Sequence, residues 1–375
     1  MTSPPTGPPD DSAPEPDPER RHKPRPEPRR RADPPPERGG ARPSPAPGIG
    51  PRRQALVALV LIPVFAALAL WAFSWPASRL APNDLPIGVA GPADAADPVA
   101  RLLNAEDGAY DVHRYPDAPT ATTAIENRDI YGAFVVTPSG PSLLVASAAS
   151  PLVAQLLTGI AEQQAPEGRT VPVTDVVPAP DADPRGTGFG AGVLPLGLVG
   201  IATGAALSLI GLRGVRLLAG LAGSAVVTGV VIAVLTHTWL GTLGGGDWLS
   251  VAAALALVIL SIASAVAGLV ALLGPPGIGI GALVVVLLGN PFSGATSAPA
   301  MLPDPVGTIG QWLPSGAGAS LLRSVAFFDG AAAAFPLLVL VGWTVAGMAA
   351  AIAAGARRRS APGPGDGGAR AARQG

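Results

Sequence analysis

The chain has 375 residues, 48% hydrophobic and 14% charged, with a formal net charge of −1 and a mean hydropathy of +0.40. Soluble domains carry about 25% charged residues, so this composition points to the membrane. With no cysteine, three histidines (His22, His113, His237) and a single lysine, Lys23, in a Pro/Arg stretch, the chain has no disulfide or thiolate metal site, no His-rich zinc cluster and no Walker A loop.

Residues 1–54 are rich in proline and arginine and too poor in apolar residues to build a core, which predicts a disordered cytoplasmic tail. Ala55–Trp75 is the first apolar run of spanning length. Arg52 and Arg53 precede it, and Trp71 and Trp75 lie at its far end, where interfacial aromatics belong. A signal peptide would be shorter and would carry a small-residue cleavage site, so the run reads as a retained span with the N-terminus inside.

Residues 76–190 form a polar insertion that reads as a small α/β domain. Predicted strands are Pro86–Val89, Tyr110–Tyr115, Tyr131–Val136, Ser142–Ala146 and Val171–Val177, and predicted helices are Pro98–Asn104, Thr120–Asn127 and Pro151–Gln164. Thr120 has the position of an N-cap and Pro151 that of a first helical turn. Acidic residues outnumber arginines here, which suits the outer face, since positive charge is retained inside. Asp181–Gly190 reads as a flexible return to the membrane. Its Gly186-Thr187-Gly188-Phe189-Gly190 run follows no strand, so a hinge is favoured over a phosphate loop.

Residues 191–356 hold five further runs: Gly192–Leu212, Leu217–Thr236, Trp248–Leu273, Ile278–Gly289 and Ala331–Ala356. The fourth is short for a crossing unless the preceding Ala271–Pro276 contributes. Six spans would place Arg52/Arg53, Arg213/Arg216 and Arg357–Arg359 on one side, the cytoplasm, and the insertion on the other. The expectation is an α-helical polytopic cell-membrane protein of about six transmembrane helices. An extracytoplasmic α/β domain would lie between the first and second helices, with a second cytoplasmic tail over 357–375. Between Asn290 and Gly330 the chain is rich in turn-formers, with Asn290, Pro291, Pro303 and Pro314 as its landmarks. That stretch reads either as a re-entrant hairpin or as an ordinary outer loop, with Leu321–Phe328 amphipathic enough to lie in the membrane face.

Chemistry is sparse. No span carries an ionisable residue near its middle, which disfavours an ion- or proton-coupled carrier, and His237 reads as interfacial. His113 with Asp111 or Asp117 is a weak pairing, and Arg128–Asp129 reads as a surface charge pair. No catalytic, cofactor or metal constellation is expected, and no nucleic-acid partner.

One span, an α/β insertion, then five spans with a broken segment before the last resembles the ABC-2 type permease superfamily, in particular its phage-infection-protein-like branch. The resemblance is carried by Ala124–Val136, by Asn290-Pro291-Phe292-Ser293-Gly294 with Met301-Leu302-Pro303, and by Leu313-Pro314 through Phe328. It implies a permease subunit that exports an amphiphilic or envelope-related substrate, pairs as a homodimer and is driven by a separate cytoplasmic ABC ATPase. The Arg213–Arg216 loop is the candidate contact for that partner. The chain departs from the family pattern where a Pro/Arg tail replaces an amphipathic helix before the first span. The competing reading is a non-transporting receptor or envelope scaffold acting through the α/β domain.

Overall fold

The computed structural model describes residues 51–165, 170–243 and 246–360. The predicted tails over residues 1–50 and 361–375 lie outside the described residues. The chain divides after Ala58 into two compact units. Residues 51–58 open the first helix, and everything below concerns the unit from Leu59 onward.

Helix α1 (Pro51–Ala77) is apolar on all sides, and from Leu59 to Phe73 its large side chains are mostly exposed. Trp71 and Trp75 stack at 5.6 Å near its end, and the Arg79 guanidinium lies 5.6 Å from the Trp75 ring. An aromatic pair with a cation beside it is the pattern of a membrane–water boundary.

The α/β domain follows as β1 (Leu85–Ala90), α2 (Ala93–Asn104), β2 (Tyr110–Tyr115), α3 (Ala118–Glu126), β3 (Gly132–Thr137), β4 (Gly140–Val145), α4 (Pro151–Gln163) and β5 (Val173–Asp175). The five strands form one mixed sheet in the order β2-β1-β3-β4-β5, parallel except for the β3–β4 hairpin. Strand β1 is flanked on both sides and its Leu85, Ile87 and Val89 are fully buried, whereas the edge strand β2 alternates and is largely exposed. Each predicted strand is present, with β5 confined to three residues. Helix α2 begins five residues before Pro98, so that proline sits inside the helix. Thr120 is not the cap of α3. Asp117 is, accepting from the Thr120 N–H (2.9 Å) and hydroxyl (2.6 Å). Aspartate two residues before Pro119 serves because its carboxylate can reach back to the N–H groups of the first turn. Pro151 opens α4 as expected, with the Ser150 hydroxyl accepting from the Val153 N–H.

Helices α5 (Thr187–Leu209), α6 (Val215–Leu235, extended by a π-helical turn Thr236–Leu240) and α7 (Trp248–Leu273) come next. After the Gly274–Gly277 turn, α8 (Pro276–Ala282) runs on as a π-helical stretch, Leu283–Gly289. A 3₁₀ turn (Pro299–Met301), α9 (Val306–Gln311), α10 (Pro314–Phe327) and α11 (Ala334–Ser360) complete the described chain. Five helices, α1, α5, α6 with its extension, α7 and α11, are long and apolar enough to cross a membrane. By length and composition these mark a multi-pass membrane protein. The sixth expected span, Ile278–Gly289, falls short: seven α-helical and seven π-helical residues reach about 21 Å at ~1.5 Å each, against a hydrocarbon core of about 30 Å.

Helix α7 is the centre of the bundle, buried along most of its length, with α5, α6, α10 and α11 packed around it. Contact is close because small residues meet there. A Cβ on Gly347 of α11 would come within 2.3 Å of the Ser264 backbone, one on Gly204 of α5 within 2.4 Å of the Ala263 carbonyl, and one on Gly229 of α6 within 2.7 Å of the Ala256 N.

Two contact sets mark the ends of the bundle. At one end the Phe189 and Phe327 rings lie 6.1 Å apart, and a Cβ on Gly246 would come within 2.2 Å of the Val325 carbonyl. At the other, Ser208, Arg213, Leu217, Ala271 and Ala354 surround one small cavity. The α/β domain stands at the first end.

Candidate functional site

The broken segment after Gly289 joins the α/β domain to the bundle. Asn290 and Pro291 turn the chain, and the Asn290 carbonyl accepts from the Ser293 hydroxyl at 2.7 Å. The chain then climbs into the α/β domain: Ala298 and Met301 are buried in its core beside Leu85 and Leu157. Backbone bonds from Ala81 N to Met301 O (3.1 Å) and Asn83 N to Ala300 O (2.8 Å) fasten this stretch to the strand-entry segment, and the Asn83 side-chain amide adds Leu302 O at 3.0 Å. Residues 298–301 are therefore a plug in the domain, while Ala295 before them packs on Val193 of α5 and Ala319 of α10.

The second half is different. Helix α10 starts at Pro314, which is buried against α7, α8 and α11, and its Gly318 faces Val258 near the middle of α7. It then rises to Phe327 beside Phe189. Leu321, Leu322, Arg323, Ser324 and Ala326 are all buried, so Leu321–Phe328 is inserted in the bundle and does not lie on the membrane face. Helix α10 is buried along most of its length, whereas Asp304, Thr308, Ile309 and Trp312 before it are exposed.

Two arginines hold the junction. Arg128, at the end of α3 with φ +64°, turns away from Asp129 and toward α10. Its Nη1 donates to Ser320 O at 3.0 Å and to the Ser324 hydroxyl, and its guanidinium lies 5.3 Å from the centre of the Phe328 ring. The expected surface pair Arg128–Asp129 does not form, because carbonyls in the last turns of α10 offer the cation partial negative charge in a drier setting. Burial pushes the Arg128 pKa below its ordinary value. Arg323, 4% exposed, donates from Nη2 to Ala295 O at 3.0 Å and stands 4.7 Å from the Phe189 ring centre. Among the described residues the ion pairs are His113–Asp111 and Arg114–Asp97, so neither junction arginine has a carboxylate. Buried cations held by carbonyls and aromatic faces alone are costly, and where they occur they are functional candidates.

The return to the bundle is ordered, not flexible. Gly186 takes φ +63° as the residue before α5, and Asp183, 5% exposed, accepts from the Phe189 N–H at 2.8 Å and the Thr187 hydroxyl at 3.2 Å. The glycine run is thus the first turn of α5, and its anion position is occupied by the chain's own carboxylate.

Beside the junction opens a cavity of about 490 Å³. Arg128, Tyr131, Asp84 and Asp304 supply polar groups, and Trp312 and Phe335, edge to face at 5.1 Å, supply an apolar wall. Asp84 and Asp304 are exposed, and neither carboxylate is bonded to another side chain or backbone group among the described residues. A second cavity, about 270 Å³, is lined by apolar side chains of α7, α8 and α11 with Pro314 at its end. Trp343 lines it, and its indole N–H donates to Trp312 O at 2.9 Å.

Of the residues singled out in the sequence, Pro314 lines the apolar cavity, while Asn290, Pro291 and Pro303 shape turns and line neither cavity. Arg213 and Arg216 are exposed at the opposite end of the bundle. His113 and Asp111 meet at 3.1 Å on the exposed face of the edge strand, and His237 is exposed in the π-helical turn. Arg128 and Arg323 were missed as site residues. The available signal was an arginine inside the otherwise apolar run Leu321–Phe328. Among the described residues no cluster of three or more His, Asp or Glu could hold a metal. Comparison of the chain with family models, curated proteins and solved structures finds no match.

Proposed function

We propose that this chain is the membrane subunit of an ABC-2-like exporter of an amphiphilic, envelope-related substrate, driven by a separate cytoplasmic ATPase. The observation that carries the reading is the discontinuous segment Asn290–Phe328. It ends in a helix inserted among the long apolar helices and lies beside a cavity with one polar and one aromatic wall. Broken helices of this kind mark substrate sites in transporters, because only there is irregular backbone worth its cost.

The absence of Asp, Glu and Lys from the middle of the long helices argues for an external energy source, since ion-coupled carriers keep such groups within the bilayer. On this reading the chain crosses six times, with the α/β domain outside. Supporting it, the Arg213/Arg216 loop and the end of α11, which leads to Arg357, share the bundle end opposite that domain. The short α8 would then complete its crossing through the Gly274–Gly277 turn and the chain at Asn290. The exposed α1 leaves an apolar surface that a second copy or lipid would cover.

The test is purification of the tagged full chain from its native membrane in mild detergent, followed by mass spectrometry. A stoichiometric P-loop ATPase, lost when Arg213 and Arg216 are both changed to alanine, is the expected result. Recovery of the chain alone or with envelope proteins would overturn the exporter reading in favour of a receptor or scaffold.

A further inference from the structure

The cavity at the junction is unusual in the charges it leaves unanswered. Arg128 uses Nη1 to hold α10, and its remaining N–H groups have no protein partner among the described residues, although the side chain lines the cavity. Asp84 and Asp304 line the same cavity, and among the described residues neither carboxylate has a hydrogen-bond or ion-pair partner. A simple anion would meet those carboxylates, and a simple cation would meet the guanidinium. A group carrying both signs answers all three, with a phosphate on the arginine and an ammonium between the aspartates. The apolar requirement is met next door. Trp312 is 58% exposed and Phe335 45% exposed on the cavity wall. The Trp343 N–H bond to Trp312 O ties that wall to the apolar cavity between α7, α8 and α11. That second cavity holds about 270 Å³, a volume suited to part of an acyl chain and lacking any group that would hold a polar ligand.

We infer that the junction cavity is the head-group site of a zwitterionic aminophospholipid, its phosphate on Arg128, its primary ammonium at Asp84 and Asp304, and its tail directed past Trp312 and Trp343 into the apolar cavity. The site deepens the exporter reading by naming the substrate class, and it rests on that reading only for the direction of movement. Headgroup recognition is a property of this chain by itself.

The full chain, purified in detergent, is titrated with phosphatidylethanolamine, phosphatidylglycerol and phosphatidylcholine of equal chain length, and retained lipid is read by native mass spectrometry. Phosphatidylethanolamine is expected to be retained about tenfold better than phosphatidylglycerol, because the anionic lipid leaves both carboxylates unpaired. Asp84→Asn with Asp304→Asn turns the cavity from net negative to net positive and should reverse that preference. Because this variant gains binding to the anionic lipid, misfolding cannot imitate it. Arg128→Gln should lose both lipids, and the aspartate variant decides the matter if that substitution loosens α10. Equal retention of the three headgroups by the wild-type chain, or an unchanged preference in the double aspartate variant, overturns the proposal. Soluble phosphoethanolamine should bind at least a hundredfold more weakly than the lipid, and equal affinity would overturn the lipid as the source. Lipid selectivity without a co-purifying ATPase would keep this site and remove the exporter reading. An ATPase with no selectivity would do the reverse.

Discussion

The α/β domain and the helical bundle differ in how their elements meet. The domain is packed by large branched side chains: Leu85, Ile87, Ile125, Leu143 and Leu157 are all fully buried around one sheet. Its stability comes from apolar area taken out of water, roughly 1.5–3 kcal/mol for each such side chain. The bundle buries large side chains too, Leu255, Ile259 and Ile262 of α7 among them, but its helices also meet through what side chains lack. Gly204, Gly229, Gly268 and Gly347 bring α5, α6 and α11 against the backbone of α7. In lipid an extra methylene gains nothing from leaving water, so closeness of backbones has to supply the attraction through dispersion. The helix contacts of the bundle should therefore fail when side chains grow, and the core of the domain when they shrink.

The sharpest way to break that comparison is Gly347→Leu. The new Cβ would fall 2.3 Å from the Ser264 carbonyl, a backbone atom that cannot turn aside. The expected cost exceeds the roughly 1–3 kcal/mol of ordinary overpacking. Detergent-purified variant should elute mostly as aggregate, and a monodisperse peak with a wild-type melting temperature would show that α11 and α7 are not in this contact. Next in size is Leu157→Ala on α4, a loss of about 2–5 kcal/mol. Here the damage should stay local: limited proteolysis should cut faster between residues 80 and 180, with the fragment holding α5 to α11 persisting. Proteolysis spread evenly over both regions would mean that the two do not fold as separately packed parts.

The domain was the more legible half. Alternating and continuous apolar runs between Pro86 and Val177 located all five strands, because a sheet buried against helices writes its period directly into the sequence. The long helices were legible too, since length and hydropathy suffice. What could not be read was the joint between them. Asn290–Gly330 mixes glycines and prolines with scattered apolar residues, a pattern shared by a loop, a hairpin and a plug. Its two halves in fact go to different places, Met301 into the domain core and Leu321 into the bundle. The partner of Arg128 lies 192 residues away at Ser320, and no local pattern carries a pairing of that range. The cap of α3 failed for a smaller reason: Thr120 and Asp117 are both good caps, and the choice depends on which of them reaches the free N–H groups.

That cap gives the finest test of the comparison, because it concerns neither side-chain volume nor backbone closeness. The Thr120 hydroxyl and then its backbone N–H hold the Asp117 carboxyl below its ordinary value of 3.8. A carboxyl depressed in the folded state contributes stability above the unfolded value, and that contribution is lost as pH falls through the folded one. Helix α3 should therefore fray below about pH 4, seen as a drop in amide protection at Thr120 and Ala121 relative to α4 in hydrogen exchange on the full chain. Asp117→Asn caps nearly as well as aspartate and cannot titrate. Its α3 protection should match the wild type at neutral pH and stay level into acid. If the acid loss persisted in that variant, the sensitivity would belong to the packing of α3 on the sheet, and the cap would be only a neutral hydrogen bond. Asp247 caps α7 in the same way, accepting from the Ser250 N–H (3.0 Å) and hydroxyl (2.9 Å), and the long helices carry no such carboxyl in their interiors. Over the same pH range the first turns of α3 and α7 should therefore both lose protection while the middles of α5 and α7 keep theirs.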